Sequence, residues 1–135
     1  MPIERFRPDT LPQVRGFAQV VAATGKRMVF TTAQPGVDRD GNLVGENGDY
    51  RAQARQAHLN LYAALAAAGA TPADIVKMTM YVVDPSDENL EAAYAGVAEA
   101  AQEGGARATA TMMFDVTRLG LEGAVYEVDA IAMVD

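Results

Sequence analysis

Val125-Tyr126-Glu127-Val128-Asp129-Ala130-Ile131-Ala132 carries the reading of this chain. Side chains alternate along a strand, so Glu127 and Asp129 share one face, while Tyr126, Val128, Ala130 and Ala132 share the other. Burying carboxylates without partners is costly. The face with the acidic pair therefore meets water, meets another subunit, or lines a site.

Working outward, residues 109–117 form the preceding strand, joined to the last one, 125–134, by a loop holding Gly120 and Gly123. Residues 75–83 form another strand, with Val76, Met78, Met80 and Val82 on one face and Lys77, Thr79 and Tyr81 on the other. Between these strands, Ser86 caps a helix over 87–103 that turns Leu90, Ala93, Tyr94 and Val97 inward and ends at Gly104-Gly105. An earlier helix over 50–68 begins at Asp49 and ends at Gly69, and its stripe is Ala54, His58, Leu61, Leu65 and Ala68. Thr71-Pro72-Ala73-Asp74 reads as a short capped turn. Residues 17–23 and 27–34 read as two strands around the turn at Gly25-Lys26, and 35–48, rich in Gly, Asp and Asn, as a loop.

The order is β-β-α-β-α-β-β in one α+β domain over residues 1–135. Two amphipathic helices cover only one face of the sheet. The other face, assigned Thr79, Tyr81, Met113 and Glu127, is too apolar for plain solvent and too polar for a core. An inter-subunit surface fits that mixture.

Half of the 135 residues are hydrophobic, enough for a core. The net charge is −7 and the 11 Lys and Arg are scattered, so neither nucleic acid nor an anionic membrane is an expected partner. The chain has no Cys and one His, which removes thiol chemistry, disulfides and Cys- or His-rich metal sites. Asp38-Arg39-Asp40-Gly41-Asn42 is similar in part to a calcium loop but lacks the downstream glutamate spacing, so it reads as a turn. Met1-Pro2-Ile3-Glu4-Arg5-Phe6 lacks the apolar run of a signal peptide, and a cytoplasmic location is expected.

Four segments in this order resemble the Rid (YjgF/YER057c/UK114) family over residues 16–132. They are Thr32-Ala33-Gln34-Pro35; Gln53-Ala54 through Asn60-Leu61 with Ala67-Ala68-Gly69-Ala70; Asp74 through Tyr81; and Glu127-Val128-Asp129-Ala130-Ile131-Ala132. The resemblance implies a chorismate-mutase-like fold, one mixed sheet with two helices on one face, and a homotrimer with clefts between subunits. It also implies hydrolysis of small imines or enamines, with no cofactor or metal. Glu127 matches the family glutamate that helps water attack the imine carbon. Asp129 matches a second acidic position and reads as a structural partner, paired across the interface.

Phe17, Thr32, Ala33 and Gln34 match positions lining the cleft, with Phe17 replacing a usual Tyr. The family arginine that grips a carboxylate has no clear counterpart. Counting back from Val116-Thr117-Arg118-Leu119 lands on Thr111, whereas Arg107 lies four residues earlier, about 13 Å along a strand. Arg107 takes the role only if the strand holds four extra residues; otherwise Thr111 takes it, and one neutral hydroxyl replaces a bidentate cation. Arg15 could supply a substitute cation but reads better as a solvated loop residue. Glu91 reads as solvated, His58 as a satisfied core residue, and Arg118 as a partner of Asp115 or Glu122.

Two rival functions remain at this stage. One is non-catalytic binding of a small metabolite, or assistance to a pathway enzyme, favoured by Thr111 and Phe17. The other is endoribonuclease activity, opposed by the acidic charge and the core-like His58.

Overall fold

The computed structural model describes residues 3–14 and 16–135; Arg15 lies outside them. The elements are β1 (Ile3–Phe6), β2 (Val20–Ala23), β3 (Arg27–Phe30), β4 (Gln34–Pro35), α1 (Tyr50–Ala67), a 3-10 turn (Pro72–Asp74), β5 (Ile75–Val83), α2 (Asp87–Gly104), β6 (Ala110–Val116) and β7 (Tyr126–Val134). The main sheet runs β3-β7-β5-β6, with β4 also paired to β7. β5 and β6 are parallel because α2 carries the chain back between them; the other pairs in this sheet are antiparallel. The fold is thus the expected α+β arrangement.

The β1 strand was not foreseen. It pairs antiparallel with β2 in a separate two-stranded sheet. The Arg5 guanidinium then ties this ribbon to the body, donating to the carbonyls of Ala108 at 2.5 Å and Ala73 at 3.1 Å.

Both helix starts form as their sequences dictate. The Asp49 carboxylate accepts from the Ala52 amide, and the Ser86 hydroxyl from the Asn89 amide. Thr71 and Asp74 form a reciprocal capping box. Gly105 ends α2 with φ 72°, where a side chain would be strained. Gly96 lets the two helices touch: a Cβ there would sit 2.2 Å from the Arg51 carbonyl oxygen. On the outer side Arg51 pairs with Glu99, and Arg55 pairs with Glu103 at 2.8 Å.

The core lies between the helices and one sheet face. Leu61, Leu65, Met80, Val82, Tyr126, Val128 and Ala132 are all buried there. Along β7 burial alternates without a break, with Tyr126, Val128, Ala130, Ala132 and Val134 inside and Glu127 and Asp129 on the opposite face.

Three expectations need correction. A register shift between Ile75 and Lys77 puts Ile75, not Val76, in the core. Met113 packs on the helix side, because its β5 partner is Met80; Met112 and Phe114 occupy the open face instead. Tyr94 stays 39% exposed at the edge of α2, its hydroxyl 3.8 Å from the Met113 sulfur.

Candidate functional site

The open sheet face gathers one set of the expected residues. Glu127 sits half-buried on β7, with Tyr81 of β5 and Pro35 of β4 as its cross-strand neighbours. Partial burial raises its pKa above the ordinary glutamate value. The Tyr81 hydroxyl donates to Asp129 Oδ2 at 2.7 Å, and its ring stacks on Phe114 with centroids 6.1 Å apart. That hydrogen bond, then burial, then the charges of Asp129 and Glu127 push the Tyr81 pKa up to about 12. Tyr81 therefore stays a neutral donor at physiological pH. Asp129 finds its partner within the chain, from a residue the sequence reading had placed on the same face without pairing the two.

The segment between β3 and β4 runs along β7. Gln34 lies opposite Val128, and its side-chain amide donates to the Thr32 hydroxyl at 3.1 Å. Ala33 is half-buried between them. One residue earlier, the Thr31 hydroxyl accepts from the Ala130 amide, pinning the segment to β7.

A second set assembles on the other side of the sheet. Thr111 has Met78 as its partner, and so faces the helices, while Glu127 has Tyr81. Three residues of β5 separate those partners, about 10 Å along the strand. Thr111 and Glu127 thus lie on opposite sheet faces, and its hydroxyl donates to the Thr109 carbonyl at 3.1 Å rather than toward Glu127. Arg107 is exposed in the segment just before β6. Thr111, Arg107 and Phe17 line a cavity of about 280 Å³ under the helices, with His58, Tyr62 and Val97 further in.

His58 is the satisfied core residue expected. Its Nε2 is 2.7 Å from the Tyr126 hydroxyl, and burial lowers its pKa to about 4, leaving it neutral. Burial likewise pushes Tyr62 up to about 12. Glu91 is exposed. Arg118 forms no ion pair with Asp115 or Glu122; it donates weakly to the Leu119 carbonyl at 3.4 Å. Arg118 borders a wider recess of about 560 Å³ at the β6–β7 loop, which contains no residue of either set. The Asp38 carboxylate accepts from the Asp40 and Asn42 amides, which makes its segment a side-chain-capped turn.

Sequence reasoning missed Arg5, the Tyr81–Asp129 pair, and the depth of the helix-side cavity. The pair was legible only in that both residues fell on one face. For Arg5 there was no local signal, since its acceptor lies 103 residues away.

This fold, an open-faced mixed sheet backed by two helices with an acidic pair on the last strand, defines the class. The family model described as Endoribonuclease L-PSP matches residues 9–134, and the chain belongs to that family, also called YjgF/UK114 or Rid. Among solved structures, a Yersinia pestis Rid-family protein of unknown function, YyfB, is 32% identical over 99% of this chain and 100% of its own, with a TM-score of 0.87. Escherichia coli TdcF, solved with bound serine, is 26% identical over 91% of each chain, with a TM-score of 0.70. The E. coli YjgF gene product is 28% identical over 90% of each chain, with a TM-score of 0.68. No curated protein matches the chain. Among the described residues, no helix is long and apolar enough to cross a membrane.

Proposed function

We propose that this protein hydrolyses small reactive imines or enamines to a carbonyl compound and ammonia, in clefts between the subunits of a cytoplasmic homotrimer. The observation that carries the reading is Glu127, a half-buried carboxylate with a raised pKa on the open sheet face. A base is most useful when its pKa moves toward the working pH. Water adds to the C=N carbon and gives a proton to Glu127. That proton passes to the nitrogen to give a carbinolamine; the proton of its new hydroxyl then moves, through Glu127, to the same nitrogen as the C=O bond forms and the C–N bond breaks to release ammonia. The reacting carbon is already electrophilic, so orientation and modest base help suffice.

The trimer reading is supported by the open face. Met28, Phe30, Met112 and Phe114 expose large apolar side chains there, an expense a lone subunit has no reason to bear. Opposed half-sites support the same reading: Thr111 and Glu127 face away from each other within one subunit, so a site that uses both needs a second copy. The serine held by TdcF supports a small amino-acid-like ligand class.

One observation favours binding without turnover. On the ungapped reading Thr111 takes the place of the family arginine; its hydroxyl is already engaged with the Thr109 carbonyl, and a substrate carboxylate then depends on Arg107 outside the strand. Ribonuclease action is disfavoured by the −7 charge and by a neutral, buried His58.

The test is the rate of keto-acid release when the protein is added to an amino-acid oxidase generating 2-iminobutanoate. Faster release is expected. No acceleration, together with thermal stabilisation by the keto acid, would leave the binding reading standing instead.

A further inference from the structure

Two side-chain amides on α1 reach across to the chain around Glu127. Gln53 and Asn60 lie about two helical turns apart and so project from one face of the helix. Gln53 is wholly buried, which a polar side chain tolerates when its hydrogen bonds are made. They are made at the entrance of β7: Gln53 Nε2 donates to the Gly123 carbonyl at 3.2 Å, and its Oε1 accepts from the Val125 amide at 2.9 Å. The Val125 carbonyl in turn accepts from the Val83 amide at 3.0 Å. Val125 is therefore held from both sides, two residues before Glu127.

The other flank is held from the same helix face. Asn60 Nδ2 donates to the Pro35 carbonyl at 3.0 Å and to the Val37 carbonyl at 2.8 Å, while its Oδ1 accepts from Gln56 at 2.9 Å. Pro35 is the β4 neighbour of Glu127. Between these contacts Gly36 lies directly on α1: a Cβ there would sit 2.3 Å from the Gln53 carbonyl oxygen, so no side chain fits. Packing the helix on the sheet needs only apolar residues such as Leu61 and Leu65. What an amide adds is direction, because a hydrogen bond fixes where a backbone group stands. Val125 precedes β7, and its amide takes a side-chain acceptor in place of a strand carbonyl.

We propose that Gln53, supported by Asn60, is a positioning residue for the reaction at Glu127: it fixes where the carboxylate stands without touching substrate. The inference rests on the hydrolase reading above and adds to it the device that aims the base.

The experiment compares three variants of the intact protein. Gln53→Leu removes both bonds. Gln53→Glu is the conservative change, since burial keeps its carboxyl protonated and able to remake both. Leu65→Val loosens the same helix at an apolar site. Hydrogen exchange at the Val125 amide should quicken about tenfold in Gln53→Leu and stay slow in the other two. The Glu127 carboxyl, followed by NMR, should titrate closer to an ordinary glutamate in Gln53→Leu alone; Asp129 and Tyr81, the titratable groups beside it, are untouched in all three. With 2-iminobutanoate, kcat should fall about ten- to a hundredfold in Gln53→Leu with KM within about twofold, because a misaimed base costs rate rather than binding. Gln53→Glu should restore most of that rate. If Gln53→Leu does not fold, Asn60→Ala frees the Pro35 flank and should move the Glu127 titration and kcat in the same direction. Unchanged Val125 exchange and Glu127 titration in Gln53→Leu, or the same changes in Leu65→Val, overturn the positioning role. The NMR readouts do not need turnover. Both shifting in a protein that hydrolyses no imine sinks hydrolysis alone, and equal kcat in wild type and Gln53→Leu sinks the positioning role alone.

Discussion

The two faces of the main sheet come from the same strands and end in different conditions. On the helix side, Tyr126, Val128 and Ala132 are wholly buried against Leu61 and Leu65. On the open side, Phe30 is 65% exposed and Met28 55%, while Glu127 and Asp129 sit among apolar neighbours. The helix face is largely covered by the chain itself, and His58, Thr109 and Thr111 there are paired internally. The open face mixes exposed large apolar residues with a carboxylate of raised pKa, which a self-sufficient surface would not need. The difference teaches that one face is filled within the chain, while the other keeps large apolar side chains exposed, which is what the proposed assembly would cover.

The sharpest way to break that contrast is to charge the open face. Phe30→Glu with Phe114→Glu is expected to abolish assembly and leave monomers that still fold. Sedimentation analysis would read this, and a trimer surviving both changes would mean that the open face is not the interface.

Next in size is Glu127→Gln. Removing a general base typically costs about 10²- to 10⁴-fold in rate, so imine hydrolysis should drop at least a hundredfold with the melting temperature nearly unchanged. An unaltered rate would move the chemistry off this face.

The helix face has its own test, through pH. His58 has a folded pKa of about 4 against an ordinary 6.5, because burial beside Tyr126 and Tyr62 disfavours its charge. The unfolded chain therefore binds the extra proton first. Stability is full above pH 6.5 and falls as pH drops toward 4, by about 3 kcal/mol for this one group. Urea midpoints in wild type and His58→Phe across that range would check it: the variant should lose this part of the slope.

The smallest effect belongs to Tyr81→Phe. It removes the 2.7 Å hydrogen bond to Asp129, a loss of about 1 kcal/mol. A change of several kcal/mol would mean that the pair holds the open face together rather than merely ordering it.

Much of this was legible beforehand. The alternation of β7, the caps at Asp49 and Ser86, and the burial of His58 all follow from patterns a few residues long. Met113 was misplaced because residues 112–114 are all apolar, so alternation alone could not say which faced the helices; the pairing of Met80 with Met113 decided it. Val76 was misplaced because a register shift is invisible in a regular apolar run. The site was less legible than the fold. Glu127 has Pro35 and Tyr81 beside it on the open face, whereas Arg107, Thr111 and Phe17 line one cavity on the helix side.

Local periodicity settled which residues share a face and where the helices begin, because backbone geometry acts over one or two turns. Tertiary structure settled which face the helices cover, which carboxylate Tyr81 reaches, and how Arg5 anchors the segment carrying Arg107. Those outcomes depend on strand register and on contacts between residues tens of positions apart, where spacing along the chain carries no information about distance in space.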